Sequence, residues 1–342
     1  MVLTGEKRVF LGVLAVVAAF APPASAQAPA PWQDPSPHRV QMVAADRGVQ
    51  LEVLDWGGSG RPIVLLAGLG HTAHIFDDFA PKLATDYHVY GITRRGYGAS
   101  TRPATGYGAD RLADDVLAVM DALQLTAPVL AGHSLAGEEL SSLGARYPSR
   151  VAGLVYLDAA ADRTAKLDPK LQDVTRKLSA AMPDGPSPTA ADRINFPAMR
   201  QYLRRVFGVT LPEAEVRAQY DATPRNTVGA YRPPQWMEQA IKSGVRKPDY
   251  ARIQAPALAI YATPRSAHDL APPWVTSETP AMLEALNEEY ALLLVASQQR
   301  IADFRSGIAH SRVIELPGAN HYLFLSNEAD VLREVRAFLS EL

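Results

Sequence analysis

The sequence predicts an α/β fold, with a mostly parallel central sheet flanked by helices and an inserted helical cap. Three observations carry that expectation. Short, continuously apolar runs recur at residues 62–67, 128–131, 151–157 and 257–262, as strands buried on both faces should read. Stretches with helical spacing of apolar residues alternate with them, which implies parallel strands joined by crossover helices. Between about residue 160 and residue 253 the alternation stops, and helical patches are split by Pro and Gly.

The N-terminus reads as a targeting segment. Lys7 and Arg8 form a positive region, and Val9 to Phe20 is an apolar run too short to span a bilayer. Ala24-Ser25-Ala26 has the small-x-small form of a cleavage site, so residues 1–26 are expected to be a signal peptide. The alternative is an uncleaved anchor, against which Pro22-Pro23 breaks any helix. Residues 27–39 are a Pro-rich leader. The core is then expected to split into 40–159 and 254–342, around a helical cap at 160–253. The chain has no cysteine, so it can fold in an oxidising compartment without mispairing. With 34 Lys and Arg against 36 Asp and Glu, and no basic run, neither nucleic acid nor an anionic membrane is an expected partner. A periplasmic or secreted protein without a stable membrane anchor after signal cleavage is expected.

The elements follow in order. Arg39 to Ala44 and Val49 to Trp56 alternate apolar and polar residues around Asp46-Arg47-Gly48, a hairpin pattern. Pro62 to Ala67 is the first buried strand. Ile75 to Ala84 looks helical, and His88 to Thr93 is the next strand, followed by a glycine-punctuated loop through Ser100. Asp110 to Leu123 places Leu112, Val116, Met120 and Leu123 on one helical face. Pro128 to Ala131 is a strand and Leu135 to Tyr147 a helix, and Val151 to Leu157 is a strand again. In the cap, 167–182, 197–206 and 212–219 are helical patches. Ala257 to Ala262 resumes the sheet. Pro280 to Phe304 reads as a long amphipathic helix with Leu283, Leu286, Tyr290, Leu293, Leu294, Ile301 and Phe304 near one face. Arg312 to Leu316 is the last strand, and Ala329 to Leu342 the closing helix.

Four motifs stand out: Gly132-His133-Ser134-Leu135-Ala136-Gly137 between a strand and a helix, Arg95-Gly96-Tyr97-Gly98-Ala99-Ser100, Leu154 to Asp158, and Pro317 to His321. On these the chain resembles the α/β-hydrolase family in its capped, esterase-like subgroup, from about Val40 to Leu342. The resemblance implies that Ser134 sits on a sharp strand-to-helix turn with its hydroxyl exposed. A serine hydroxyl is a poor nucleophile without a base and an orienting acid beside it. In this fold the chain order is serine, acid, histidine. His321, just past the last strand, is the expected base. Alone it would read as a surface loop histidine. The acid has two candidates. Asp269 follows the strand at 257–262, the common position, and is favoured. Asp158 ends the strand at 151–157 and is the alternative. Capping or solvent exposure is the plain reading of Asp269, and a structural hydrogen bond that of Asp158. The oxyanion hole is expected from the backbone N–H groups of Leu69 and Leu135, with Gly68 and Gly70 allowing close approach.

Three departures from the family pattern follow. Ala136 stands where Gly is frequent two residues after the nucleophile, and is small enough for the helix to pass the strand. Ala67-Gly68 replaces His-Gly, removing a side chain that ties the oxyanion loop. Thr93 and Arg94 replace the Asp ahead of Arg95-Gly96, and the arginine loop is read as structural. Relatives that displace halide or open epoxides use an aspartate at the elbow, so a serine there implies acyl chemistry. Cofactor-free peroxidase activity occurs in the family, and no residue here points to it. The expected reaction needs no cofactor and no metal ion. His71 and His74 follow the oxyanion loop, but a metal role requires a third ligand that spacing does not show, so they read as loop or pocket-lining residues. Tyr231, Trp236, Met237 and Trp274 are candidates to line an apolar acyl pocket.

The expectation is therefore an exported serine hydrolase that cleaves a carboxylic ester of a small molecule through an acyl-enzyme. The same triad could act on an amide, an N-terminal peptide bond, a lactone or a carbon–carbon bond. A reading of another class is a ligand-binding sensor that keeps the fold with little turnover.

Overall fold

The computed structural model describes residues 32–166 and 168–342. The expected signal peptide, residues 27–31 of the leader and Leu167 lie outside them. Ser36–Leu342 is one unit, distinct from Met1–Pro35. Among the described residues no helix is long and apolar enough to cross a membrane.

The chain opens with a hairpin, β1 (Arg39–Asp46) and β2 (Val49–Gly57), followed by β3 (Pro62–Leu66), a 3-10 turn at Ala73–Phe76, α1 (Ala80–Leu83) and β4 (His88–Ile92). Then come α2 (Ala109–Ala122), β5 (Val129–His133), a second 3-10 turn at Ser134–Ala136, α3 (Gly137–Arg146) and β6 (Gly153–Leu157). Between β6 and the next sheet strand lie α4 (Pro169–Ala181), α5 (Phe196–Phe207), α6 (Glu213–Gln219), the strands β7 (Tyr220–Ala222) and β8 (Val228–Tyr231), and α7 (Gln235–Ser243). The sheet resumes with β9 (Ala257–Thr263), followed by α8 (Pro280–Gly307), β10 (Ser311–Pro317), α9 (Leu323–Ser326) and α10 (Glu328–Leu339).

Eight strands form one sheet in the order β1-β2-β4-β3-β5-β6-β9-β10. β2 runs antiparallel to β1 and β4, and β4, β3, β5, β6, β9 and β10 are mutually parallel. Alternate residues of each central strand feed two cores. Ile63, Leu65, Val129, Val155 and Ile260 face a layer containing Phe76, Phe79, Phe324 and Val335. Val64, Leu66, Leu130, Leu154 and Tyr261 face a layer containing Val116, Leu140, Ile301 and Phe304. Each fully buried aliphatic side chain contributes about 1.5–3 kcal/mol relative to exposure, so both helical layers are held by the same strands.

Three expectations change. The stretch 75–84 is a 3-10 turn and a one-turn helix, because Asp77 and Asp78 interrupt it and Pro81 can sit only in the first turn of α1. The segment after β6 contains an antiparallel strand pair, β7 with β8, where only helical patches were expected. On α8 the buried apolar residues are Met282, Ala285, Leu286, Ile301 and Phe304, so Leu283, Leu293 and Leu294 do not share a buried face with them. Its C-terminal end packs on the sheet core through Ile301 and Phe304, and its N-terminal end on a separate cluster with Leu178 and Ala267.

Candidate active site

Ser134 follows directly on β5 and has φ +53°, a left-handed conformation that costs energy in a residue with a Cβ. That turn lifts its hydroxyl out of the sheet. The turn packs tightly: a Cβ on Gly132 would stand 2.9 Å from the Cβ of Ala136. The small residue in place of the frequent glycine therefore fits because its strand neighbour is itself a glycine. Arg163 braces the turn from outside, donating to the carbonyl oxygens of Ser134 at 2.7 Å and Ala159 at 3.2 Å.

His321 lies in the loop after β10. Its Nε2 is 2.9 Å from Ser134 Oγ, and its Nδ1 is 2.7 Å from Asp158 Oδ2. A carboxylate can only accept, so Nδ1 carries the proton and Nε2 is left to accept from the serine hydroxyl. Asp158 directly follows β6 and also has positive φ, +48°.

Asp269, the favoured acid from the sequence, is not part of this arrangement. It sits in a 3-10 turn after β9 and accepts from the backbone N–H of Arg265 at 2.7 Å and from its guanidinium at 3.2 Å. Those bonds hold its carboxyl below the usual carboxylate range. The structure instead brings the alternative, Asp158, to His321. The reason is register. His133 pairs with Leu157 across β5 and β6, so the next residues on the two strands, Ser134 and Asp158, emerge side by side.

The loop carrying Leu69 lies against the serine. A Cβ on Gly68 would stand 3.1 Å from Ser134 Cβ and 2.9 Å from His133 Nδ1, so only glycine permits this approach. The missing tie of that loop is supplied by Arg94. Its buried guanidinium donates to Ala67 O at 2.8 Å, Gly68 O at 3.2 Å and Glu139 Oε1 at 2.6 Å. Leu69 and Leu135 border one apolar cluster, with Leu135 inside it beside Tyr97, Tyr107 and Met237.

Of the other expected pocket residues, Met237 is fully buried in that cluster, while Tyr231 is 41 % and Trp236 48 % exposed. The Tyr231 hydroxyl nonetheless lies beside Gly70 and donates to Glu238. Trp274 packs near Gly185.

Two further histidines matter. His133 donates from Nε2 to the carbonyl oxygen of His321 at 3.0 Å, anchoring the loop that carries it. Burial holds the His133 imidazole well below the usual histidine range. His71 donates from Nδ1 to Glu215 Oε1 at 2.8 Å, and its Nε2 accepts from the Tyr322 hydroxyl at 2.9 Å. His74 parts company with His71 and meets Asp77, which also binds His38, partners that spacing did not show.

Three comparisons place the chain among known proteins. A profile described as "Alpha/beta hydrolase family" matches residues 63–334. The AB hydrolase superfamily protein YisY of Bacillus subtilis (strain 168) is 38% identical over 115 residues, 32% of this chain and 41% of that protein. A non-heme chloroperoxidase of Streptomyces lividans is 36% identical over 129 residues, 37% of this chain and 47% of its own. These matches span less than half the length of those two relatives. Among solved structures, E-2-(acetamidomethylene)succinate hydrolase superposes with a TM-score of 0.63 at 19% identity, covering 89% of this chain and 99% of that one. With the serine elbow, the parallel sheet and a profile match over most of its length, the chain belongs to the alpha/beta hydrolase family.

Proposed function

We propose that the protein is an exported serine hydrolase that cleaves carboxylic esters of small molecules through an acyl-enzyme. One observation carries the reading: the unbroken chain of hydrogen bonds from Ser134 Oγ through His321 to Asp158. Ser134 attacks the carbonyl as His321 Nε2 takes its proton. Asp158 stabilises the imidazolium that forms and fixes the tautomer beforehand. The backbone N–H groups of Leu69 and Leu135 face the developing oxyanion. His321 then returns the proton to the leaving alcohol and activates the water that releases the acid. The cluster holding Leu135 and Met237 offers an apolar surface to the acyl part. The region 160–253 caps the site. Export rests on the Lys7-to-Ala26 pattern.

The test is turnover of a short aryl ester by wild type and Ser134→Ala, with fluorophosphonate labelling. Wild type should label at Ser134, and the variant should lose about a million-fold in rate. Unaltered hydrolysis by the variant would overturn the serine assignment. Comparing ester, amide and lactone substrates checks the bond cleaved, and kcat/KM highest on the amide or lactone would overturn the ester assignment.

A further inference from the structure

We propose that His38, His74 and Asp77 form a structural zinc site, separate from the serine centre. The three residues come from the entry to β1 and from the 3-10 turn that follows the oxyanion loop. His38 Nδ1 is 2.9 Å from Asp77 Oδ1, and His74 Nδ1 is 3.0 Å from Asp77 Oδ2. The two imidazole rings are 5.1 Å apart and inclined at 63°, so both Nδ1 atoms converge on one carboxylate. Their side chains are nearly dry, with 3% of His38, 11% of His74 and 4% of Asp77 exposed.

The spacing suits a small borderline cation. Zinc binds imidazole nitrogen and carboxylate oxygen at about 2.0–2.1 Å, which puts neighbouring tetrahedral ligand atoms about 3.3 Å apart. The observed nitrogen-to-oxygen separations need to open by only a few tenths of an ångström. Two imidazole nitrogens and a carboxylate that sets one oxygen near each of them form a donor set suited to zinc and poorly suited to magnesium or calcium, which take oxygen ligands.

A second observation points the same way. Glu52, on β2, lies behind His74, with Oε1 3.8 Å from His74 Nε2. Its other oxygen, Oε2, is buried without a hydrogen-bond partner. Metal-bound histidines regularly turn their second nitrogen to such a carboxylate, which orients the ring. The ion would clip the start of β1 to the turn that succeeds Leu69, fastening the base of the oxyanion loop.

The test uses the full chain purified without a polyhistidine tag, stripped with chelator and dialysed against micromolar zinc chloride. Elemental analysis should find one zinc per chain in wild type. Thermal unfolding should rise by several degrees with zinc, since a hundredfold excess over Kd multiplies the folded-to-unfolded ratio by about a hundred. Cobalt in place of zinc should give the visible absorption of a tetrahedral nitrogen–oxygen site. His38→Gln and His74→Gln should abolish all three signals, while His268→Gln, at an exposed histidine, should keep them. If His74→Gln fails to fold, His38→Gln decides, because it only flanks a strand. Absence of stoichiometric zinc in wild type, or its retention in folded His38→Gln, would overturn the proposal.

Discussion

Ser134 and Asp158 leave adjacent parallel strands at the same level and in the same left-handed backbone conformation, with φ of +53° and +48°. Neither is a glycine, so the strain is held in place by the surrounding packing. The shared geometry turns both side chains toward the one imidazole that arrives from β10. His321 is thus a bridge between two strand ends that the sheet has already brought together.

This relationship predicts that Asp158→Asn lowers kcat by about 10⁴-fold, because an amide offers the imidazole a donor and favours the wrong tautomer. Asp269→Asn should stay within a few-fold of wild type, since its partner is Arg265. Steady-state kinetics on one ester compares them. Equal losses in both would mean that the hydrogen bond to Asp158 does not set the tautomer.

The contrast between these two aspartates also shows what the chain's linear order can convey. The apolar run before Gly132-His133-Ser134 marks a buried strand and a tight turn, so the exposed turn that carries Ser134 is legible from local pattern. His321 follows from its place after the last strand. Choosing between Asp158 and Asp269 requires the lateral register of β5 and β6, which no local pattern encodes. The same holds for Arg94: its bonds to Ala67 and Gly68 join segments 26 and 27 positions apart. Helical spacing misleads on α8, where 28 residues outrun the core they touch, so its middle apolar residues have no layer to face.

Arg94 gives the second prediction. Its guanidinium and the Glu139 carboxylate are both buried, so Arg94→Met leaves an uncompensated charge and should cost about 3–5 kcal/mol. Adding Glu139→Leu should recover much of that stability. It should not recover the rate, because the carbonyl oxygens of Ala67 and Gly68 remain untied, and a displaced oxyanion donor costs about 10²-fold or more in kcat. Urea unfolding and kinetics on the single and double variants separate the two effects.

His133 predicts a pH signature. Burial keeps its imidazole neutral in the folded state well below the ordinary value, so the sign is fixed. Above pH ~6.5 folded and unfolded chains both hold it neutral, and it contributes no slope. Below that, the unfolded chain takes up a proton that the folded one refuses, so stability falls as pH falls. The stability advantage of wild type over His133→Asn should therefore shrink by about 1.4 kcal/mol per pH unit below pH ~6.5. Urea unfolding at pH 7.5 and 5.5 measures the gap. A constant gap would mean that the folded protein protonates His133 freely.

Glu215 carries the last prediction. It is fully buried on α6, where it accepts from the Thr72 backbone N–H at 3.1 Å, the Thr72 hydroxyl and His71 Nδ1. His71 in turn receives the hydroxyl of Tyr322, the neighbour of His321. One carboxylate therefore fastens the segment between β6 and β9 to both the oxyanion loop and the histidine loop. Glu215→Gln preserves the shape, but its amide nitrogen would turn a donor toward donors, and hydrogen bonds to a charged group are worth about 1.5–3 kcal/mol each. The variant should melt several degrees lower and lose about tenfold in kcat. Tyr322→Phe, which cuts only the far end of the network, should lose less in both. If Glu215→Gln melts lower while kcat holds, the network supports the fold without positioning either loop.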